Sequence, residues 1–329
     1  MITPEFLDRL WYGSHPLAIV LRPVSWLYAG FVRLRNLAYL IGILPRRGVD
    51  VPVIIVGNIT VGGTGKTPLI IWLSALLREQ GHRPGIISRG YGGKSTKWPQ
   101  QVRADSNPQL VGDEPVLLAR RTGCPVAVSP DRYVAAQELL EHTDCDVLLC
   151  DDGLQHQAMD RDLEIAVIDG DRRFGNGLCL PAGPLREPVS RLASVDMVVA
   201  NGKAGRNEFL MEYHYEDPRC LEDGRRTAIE SFSNSPVHVV TGLGNPARFH
   251  SWLRSHNISL IKHAFPDHHQ YTAADLQFGD DYPVVMTEKD AVKCVAYATH
   301  NMWYIPINAT FTDAFYYRLQ NLLKDLFNG

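Results

Sequence analysis

Residues 51–68 read Val-Pro-Val-Ile-Ile-Val-Gly-Asn-Ile-Thr-Val-Gly-Gly-Thr-Gly-Lys-Thr-Pro, and this stretch decides the fold. VPVIIVGNI is a continuous apolar, β-branched run, which suits a strand buried on both faces of a parallel sheet. The glycine-rich turn that follows runs into LIIWLSALLREQ, a helical pattern closed by Gly81. Strand, glycine loop and helix in that order are the context a phosphate-binding loop requires. Thr60, Val61, Gly62, Gly63, Thr64, Gly65, Lys66 and Thr67 are therefore the candidate nucleotide-binding residues. Glycines let successive N–H groups point at phosphate oxygens, helped by the positive end of the following helix. Lys66 is placed to reach the β- and γ-phosphates of a nucleotide, and the Thr67 hydroxyl to ligate Mg²⁺. Thr60 stands where the usual pattern has its first glycine.

Outward from the loop, short apolar runs recur at 84–88, 124–129, 145–152, 163–170 and 195–201, with helical stretches such as EPVLLARRTG and RYVAAQELLEH between them. Alternating strands and helices predict an α/β fold, a doubly wound, mostly parallel sheet with its ligand at the carboxyl ends of the strands. The pattern turns polar and irregular near 205–235. It resumes with HVVTG, the helix-like NPARFHSWLRSHN, VVMT, a strand MWYIPI (302–307) and a terminal helix. The expected organisation is a nucleotide-binding core over 51–220 and a smaller α/β domain over 221–329 that closes on the nucleotide. Residues 1–50 form an N-terminal amphipathic helical segment attached to the first domain.

Composition limits the alternatives. The chain has 329 residues, 45% of them hydrophobic and 21% charged, values of a folded globular protein rather than a disordered or fibrous one. A formal net charge of −3 argues against a nucleic-acid partner recruited by overall basicity. Six cysteines without a CxxC pair read as reduced cytosolic thiols. The N-terminus also lacks the basic start, apolar run and cleavage site of a signal peptide.

The charge is unevenly spread. From Arg9 to Val49 there are six arginines and no acidic residue, interleaved with tryptophan, tyrosine, phenylalanine and aliphatics. The longest uncharged run, Leu10–Leu21, is 12 residues, short of the ~20 needed to cross a bilayer. Pro16 and Pro23 are expected to break it further. Residues 1–47 thus fit a segment lying on an anionic membrane surface. The plainer alternative is a helical pair packed on the core with exposed arginines.

A phosphate loop needs an acid at a neighbouring strand end, and Asp151 and Asp152 close the run Val147–Cys150. Adjacent carboxylates on extended chain face opposite ways, so one can serve Mg²⁺ and the other a different partner. A solvated turn is the bland reading of the same DDG. Transfer to a hydroxyl also needs a group to take its proton. Gly112-Asp113-Glu114-Pro115 and Phe265-Pro266-Asp267-His268-His269 are the polar islands that could supply one. GDEP is also a good helix start with Asp113 as N-cap, and DHH could be a surface turn or part of a zinc site, although no further ligand lies at zinc spacing. A switch GTPase is weakened because Thr287-Glu288-Lys289-Asp290 carries its lysine one place late. A partition-type ATPase is weakened because Val61 replaces the lysine before the paired glycines.

Taken jointly, VGNITVGGTGKTP (56–68), ISRGYGG (87–93), VGDEP (111–115), SPDR (129–132), CDDGLQH (150–156), LPAGPLREP (180–188), FPDHH (265–269) and TEKDAVKC (287–294) resemble the tetraacyldisaccharide 4′-kinase family, the lipid A 4′-kinases of Gram-negative bacteria. The resemblance implies ATP- and Mg²⁺-dependent phosphorylation of the 4′-hydroxyl of a tetraacylated glucosamine disaccharide 1-phosphate, at the cytoplasmic face of the inner membrane. It implies Asp113 and His268 as a catalytic dyad with Asp113 the base, Lys66 as a phosphate ligand, and Thr67, Asp151 and Asp152 as Mg²⁺ and water-organising residues. It further implies Arg186 and Glu187 as active-site charges, with Arg186 stabilising the transferring phosphate. Ser88, Arg89, Tyr91 and Arg132 belong near the cleft, and no obligate protein partner is implied. Thr287–Asp290 lies either near the nucleotide or in a simple strand-to-helix cap. A partition-type or switch ATPase and a soluble small-molecule kinase are the alternatives.

Overall fold

The computed structural model describes residues 4–328. Residues 1–3 of the expected membrane segment and residue 329 of the expected C-terminal unit lie outside the described residues. Two N-terminal helices, α1 (Pro4–Tyr12) and α2 (Leu17–Leu40), precede β1 (Val53–Gly57) and α3 (Lys66–Glu79). The chain continues through β2 (Pro84–Ser88), β3 (Gln100–Val102), α4 (Pro108–Val111), α5 (Asp113–Thr122), β4 (Val126–Val128) and α6 (Arg132–His142). Then come β5 (Val147–Asp151), β6 (Leu163–Asp169), β7 (Met197–Asn201) and β8 (Phe209–Tyr215).

These strands build a nine-stranded sheet of order β14-β8-β7-β6-β1-β5-β2-β4-β3, where β14 is Ile307–Phe311. It is parallel from β8 to β4 and antiparallel at both edges. Every residue of β1 is buried. Ile54 and Val56 face one apolar layer with Leu69, Leu73 and Leu77 of α3, while Val53 and Ile55 face the other with Ala135 and Leu139 of α6. The unbroken apolar run of the sequence follows from this covering on both faces.

The second sheet has the order β11-β10-β12-β13-β9, from β9 (Arg219–Cys220), β10 (Val237–Thr241), β11 (Leu260–Ala264), β12 (Val284–Thr287) and β13 (Met302–Ile305). Helices α7 (Ala247–Ser255) and α8 (Glu288–Cys294) belong to this part, and α9 (Asp313–Asn328) ends the chain.

Three expectations are corrected. MWYIPI is two strands in two sheets: β13 pairs with β12, and β14 with β8. Pro306 separates them, since it brings no N–H to a ladder, and its carbonyl accepts from the Glu216 amide instead. The second sheet is therefore inserted between β8 and β14. The last strand and α9, whose Phe315, Leu319 and Leu323 enter the first core, pack with the larger sheet and not with the 221–329 unit expected for them. The stretch near 205–235 contains the seven-residue β8, hidden in the sequence by its alternation of polar and aromatic residues near a sheet edge.

The third correction concerns Pro23, which does not interrupt α2; the helix runs unbroken for 24 residues. Losing a helical bond at proline costs about 3 kcal/mol, and contacts along one stripe of α2 offset it. Ser25 and Val32 are buried, the Ser25 hydroxyl donates to the Cys179 carbonyl at 2.6 Å, and the Tyr28 hydroxyl to the Arg186 carbonyl at 3.1 Å. By length and composition alone α2 is apolar enough to cross a membrane.

Candidate active site

The phosphate loop is fixed from both sides. The Val61 amide donates to the Pro184 carbonyl at 2.8 Å and Thr60 bridges to Leu185, so the PLRE segment lies along the loop. Asn58 Nδ2 donates to the Gly62 carbonyl and Asn201 Nδ2 to the Thr64 carbonyl, each at 3.1 Å. Gly65 starts α3 with φ +106°, and a Cβ there would lie 2.6 Å from the Tyr213 hydroxyl, so only glycine fits. Nothing stands within 4 Å of a Cβ built at Gly62 or Gly63, leaving that side open to a ligand. Gly63, Thr64, Gly65, Lys66 and Thr67 line the cleft in front of the loop. Thr60 is buried and, with Val61, shapes the loop from behind.

Asp151 and Asp152 take different partners, because β5 ends at Asp151 and the chain turns left-handed at Asp152. Asp151 is buried and accepts from the Ser88 hydroxyl at 3.0 Å, while its Oδ1 has no partner. Burial, with the Glu114 charge nearby, pushes its carboxyl up to about 7 against the pull of Lys66. Asp152 sits at φ +51° and accepts from Arg186 Nη1 at 2.8 and 3.0 Å, with Lys66 Nζ at 3.4 Å. Burial would raise its pKa, but Lys66 and Arg186 outweigh that and hold it below the ordinary carboxylate range. Arg132, nearly fully buried, donates to the Asp152 carbonyl at 3.2 Å.

The two polar islands meet. Asp113 is the first residue of α5, with Gly112 in the cap position expected for Asp113. Its carboxylate is thereby free to receive His268 Nδ1, at 2.9 and 3.2 Å from the two oxygens. Asp113 Oδ1 also accepts the Glu114 amide at 2.9 Å. Burial opposes the charge on Asp113, yet His268, Lys289 and Lys293 together hold its carboxyl below its usual range. Burial likewise opposes the charge on His268, but the bond to Asp113 raises it above the ordinary histidine value. Tyr91 stands edge-on to the imidazole with ring centres 4.9 Å apart. The pair borders a second cavity with Asn107, Gln270 and Lys293, whereas its sequence neighbours Glu114 and Asp267 line the nucleotide cleft.

That cleft is closed on its far side by the second sheet. Leu243, Gly244, Asn245, Arg248 and Phe249 face the phosphate loop, and Tyr215, Ile305 and Ile307 give it an apolar end suited to a base. Arg248 crosses the seam to Asp169 at 2.9 Å, Asp171 at 2.8 Å and the Asn201 carbonyl at 2.6 Å. Thr287 accepts the Asp290 amide as the N-cap of α8, and it lines the cleft with Glu288 and Lys289.

The profile of the family described as Tetraacyldisaccharide-1-P 4′-kinase (LpxK) matches residues 17–324. This chain belongs to that kinase family. A tetraacyldisaccharide 4′-kinase of Nitrosococcus oceani is 51% identical over 316 residues, 96% of this chain and 94% of that protein. One from Alkalilimnicola ehrlichii is 52% identical over 309 residues, 92% of each. The crystal structure of an "apo" form of LpxK from Aquifex aeolicus in complex with ATP superposes with a TM-score of 0.79 at 29% identity, covering 94% of this chain and 99% of that one. The two-sheet α/β architecture is thus that of the LpxK family, and the partition-type or switch ATPase reading is not favoured.

Glu187, expected as an active-site charge, also bonds to the N-terminal helix. Glu187 is fully buried and accepts from Asn36 of α2 at 2.7 Å and Gln155 at 2.8 Å, with Arg191 at 3.7 Å. It ties the N-terminal helix to the catalytic body. Arg89 and Tyr91 are exposed. Glu114 belongs to the polar island at 112–115 without a role of its own in the sequence pattern, and the structure places it in the cleft. Asn245 and Arg248 carry no local motif, and only the pairing of the two sheets brings them to the phosphate loop. Among the described residues no group of three His, Cys, Asp or Glu side chains is arranged to hold a metal ion.

Proposed function

We propose that this chain performs the reaction for which its family is named, transferring the γ-phosphate of ATP to the 4′-hydroxyl of a tetraacylated disaccharide 1-phosphate. The observation that carries the reading is the Asp113–His268 pair, 155 residues apart in sequence and 2.9 Å apart in space, whose sequence neighbours Glu114 and Asp267 line the same cleft as the phosphate loop. Lys66 and the amides of Gly63–Thr67 hold the phosphates. Thr67 and Asp151 are the residues fit to hold Mg²⁺, the latter because it keeps a buried oxygen without a partner. When bound, the ion would neutralise charge building on the phosphates. Arg186 fixes Asp152 through Nη1 and meets the transferring group with the rest of its guanidinium.

Phosphoryl transfer passes through a loose transition state, so the acceptor hydroxyl needs orientation first and a proton acceptor late. Asp113 takes that proton and His268 stabilises the carboxylate. The low basicity of Asp113 does not prevent this, because the hydroxyl proton becomes strongly acidic as its oxygen bonds to phosphorus, late, after the bond from the γ-phosphoryl group to ADP has largely broken.

A four-chain lipid cannot leave the bilayer cheaply, at ~0.8 kcal/mol per exposed CH₂, so the enzyme must reach it. The outer face of α2 and the turn after it expose Val20, Trp26, Leu27, Phe31, Leu34, Leu40 and Ile43, each by more than 60%. The inner stripe is bonded to Cys179, Arg186 and Glu187. A helix held to the protein along one stripe lies on the membrane at its cytoplasmic face and does not span it, despite its length. Arginines along it add ~1 kcal/mol each near anionic lipid. The same PLRE segment that carries Arg186 flanks the phosphate loop, so the docked surface delivers the acceptor beside the γ-phosphate.

The test is incubation with γ-labelled ATP, Mg²⁺ and a lipid A disaccharide precursor in mixed micelles. Label is expected on the lipid. Label released only as inorganic phosphate would overturn the kinase reading.

A further inference from the structure

Lys289 is carried by the first turn of α8, and its side chain is 15% exposed. Its ammonium lies 2.9 Å from Glu114 Oε1 and 3.1 Å from Asp267 Oδ1. Glu114 directly follows Asp113, and Asp267 directly precedes His268. We propose that Lys289 is a positioning residue, its one ammonium fastening the two chain segments that present the Asp113–His268 pair across the seam between the sheets. The inference rests on reading that pair as the proton-handling group.

Three features support it. His268 adopts φ +58°, a left-handed conformation that a residue with a side chain keeps only when its surroundings impose it. The same Asp267 Oδ1 that meets Lys289 accepts the His268 backbone N–H at 3.1 Å, so the lysine braces the turn itself. Glu114 and Asp267 both line the nucleotide cleft, and without the ammonium between them two carboxylates would repel across the seam. Burial alone would lower the lysine's pKa, but Glu114, Asp113 and Asp267 raise it well above its usual value, so the brace stays charged. One turn later on the same helix, Lys293 Nζ lies 3.8 Å from Asp113 Oδ2 and 2.9 Å from Asp290 Oδ1, which adds a second contact on the pair.

The experiment compares Lys289→Met, Lys289→Arg and His268→Ala in the full chain, measuring kcat and KM for ATP with the lipid acceptor. It also records the low-field proton resonance of the His268 Nδ1–H bonded to Asp113, assigned by its loss in His268→Ala. Lys289→Met is expected to lose about 10–100-fold in kcat, because a small misplacement of reacting groups costs that much. KM for ATP should change less than about threefold, and the resonance should disappear. Lys289→Arg should keep the resonance and recover most of the turnover. Undiminished kcat in Lys289→Met, or a rise in KM for ATP alone, would overturn the proposal, the second marking Lys289 as a phosphate ligand. If Lys289→Met does not fold, Lys289→Arg decides, since a lost resonance with full turnover sinks the proposal. Normal turnover in His268→Ala would instead remove the reading of the pair on which the proposal rests.

Discussion

The two halves of the site are built in opposite ways. The phosphate loop is one continuous stretch, Thr60–Thr67, set by a buried strand before it and a helix after it. The Asp113–His268 pair, proposed above to handle the proton, is assembled from the start of α5 on one sheet and a left-handed turn after β11 on the other, and it exists only if the two sheets meet. A contiguous site survives any rearrangement that leaves its own loop intact. A split site depends on the seam, on contacts such as Arg248 with Asp169 and Lys289 with Glu114 and Asp267.

The contrast can be broken most sharply at the pair. Asp113→Ala and His268→Ala should each lower kcat by roughly 10²–10⁴ while moving KM for ATP by less than about threefold. Steady-state kinetics with the lipid acceptor checks this, and full turnover in both variants would leave the seam without a catalytic purpose. On the contiguous side, Lys66→Ala should lower kcat/KM for ATP by about 10–100-fold, with nucleotide binding itself weakened in a filter or calorimetric assay. Equal nucleotide affinity would mean that the loop holds phosphate by its amides alone.

The same difference governs what could be read in the sequence. The phosphate loop, the buried strands and the acids at 151 and 152 were legible because their physics is local: β-branched runs, glycines at a turn, a carboxylate at a strand end. Asp113 with His268 could be suspected from composition, but their meeting depends on the order of two sheets that no local pattern encodes. Pro306 was misread for the same reason, because a proline between two apolar runs looks like one strand until the partners of each half are known. Pro23 misled in the other direction, since its cost in α2 is met by contacts with residues 179, 186 and 187 far along the chain. The resemblance implies Glu187 as an active-site charge, and only the approach of Asn36 shows that it also anchors α2.

That anchor makes a cleaner membrane test available than truncation, which would leave Glu187 buried without Asn36. Replacing Trp26, Leu27 and Phe31 together by serine removes only exposed side chains. Each apolar side chain buried in the bilayer contributes about 1.5–3 kcal/mol, so binding to anionic vesicles should fall by more than about tenfold in a sedimentation assay. Turnover of a short-chain acceptor in detergent should stay within about twofold. Vesicle binding that persists would place the membrane contact elsewhere than on α2.

The smallest effect tests the pair without chemistry. His268 is raised above its ordinary value, so its charged form is favoured by folding; that contribution is fully present below about pH 6.5 and lost as pH rises through the raised folded value. Asp113 is held below its usual range, so its contribution is present above about pH 4 and lost as pH falls through the lowered folded value. The pair therefore stabilises most between those limits. Asp113→Asn should cost about 1–2 kcal/mol near pH 5.5 by denaturant unfolding, with the difference from the parent shrinking as pH rises through the raised histidine value. The imidazole should also titrate lower in the variant, as followed by NMR. A difference that does not change with pH would mean that the two side chains touch without sharing charge, and that the second sheet is held to the first by its other contacts alone.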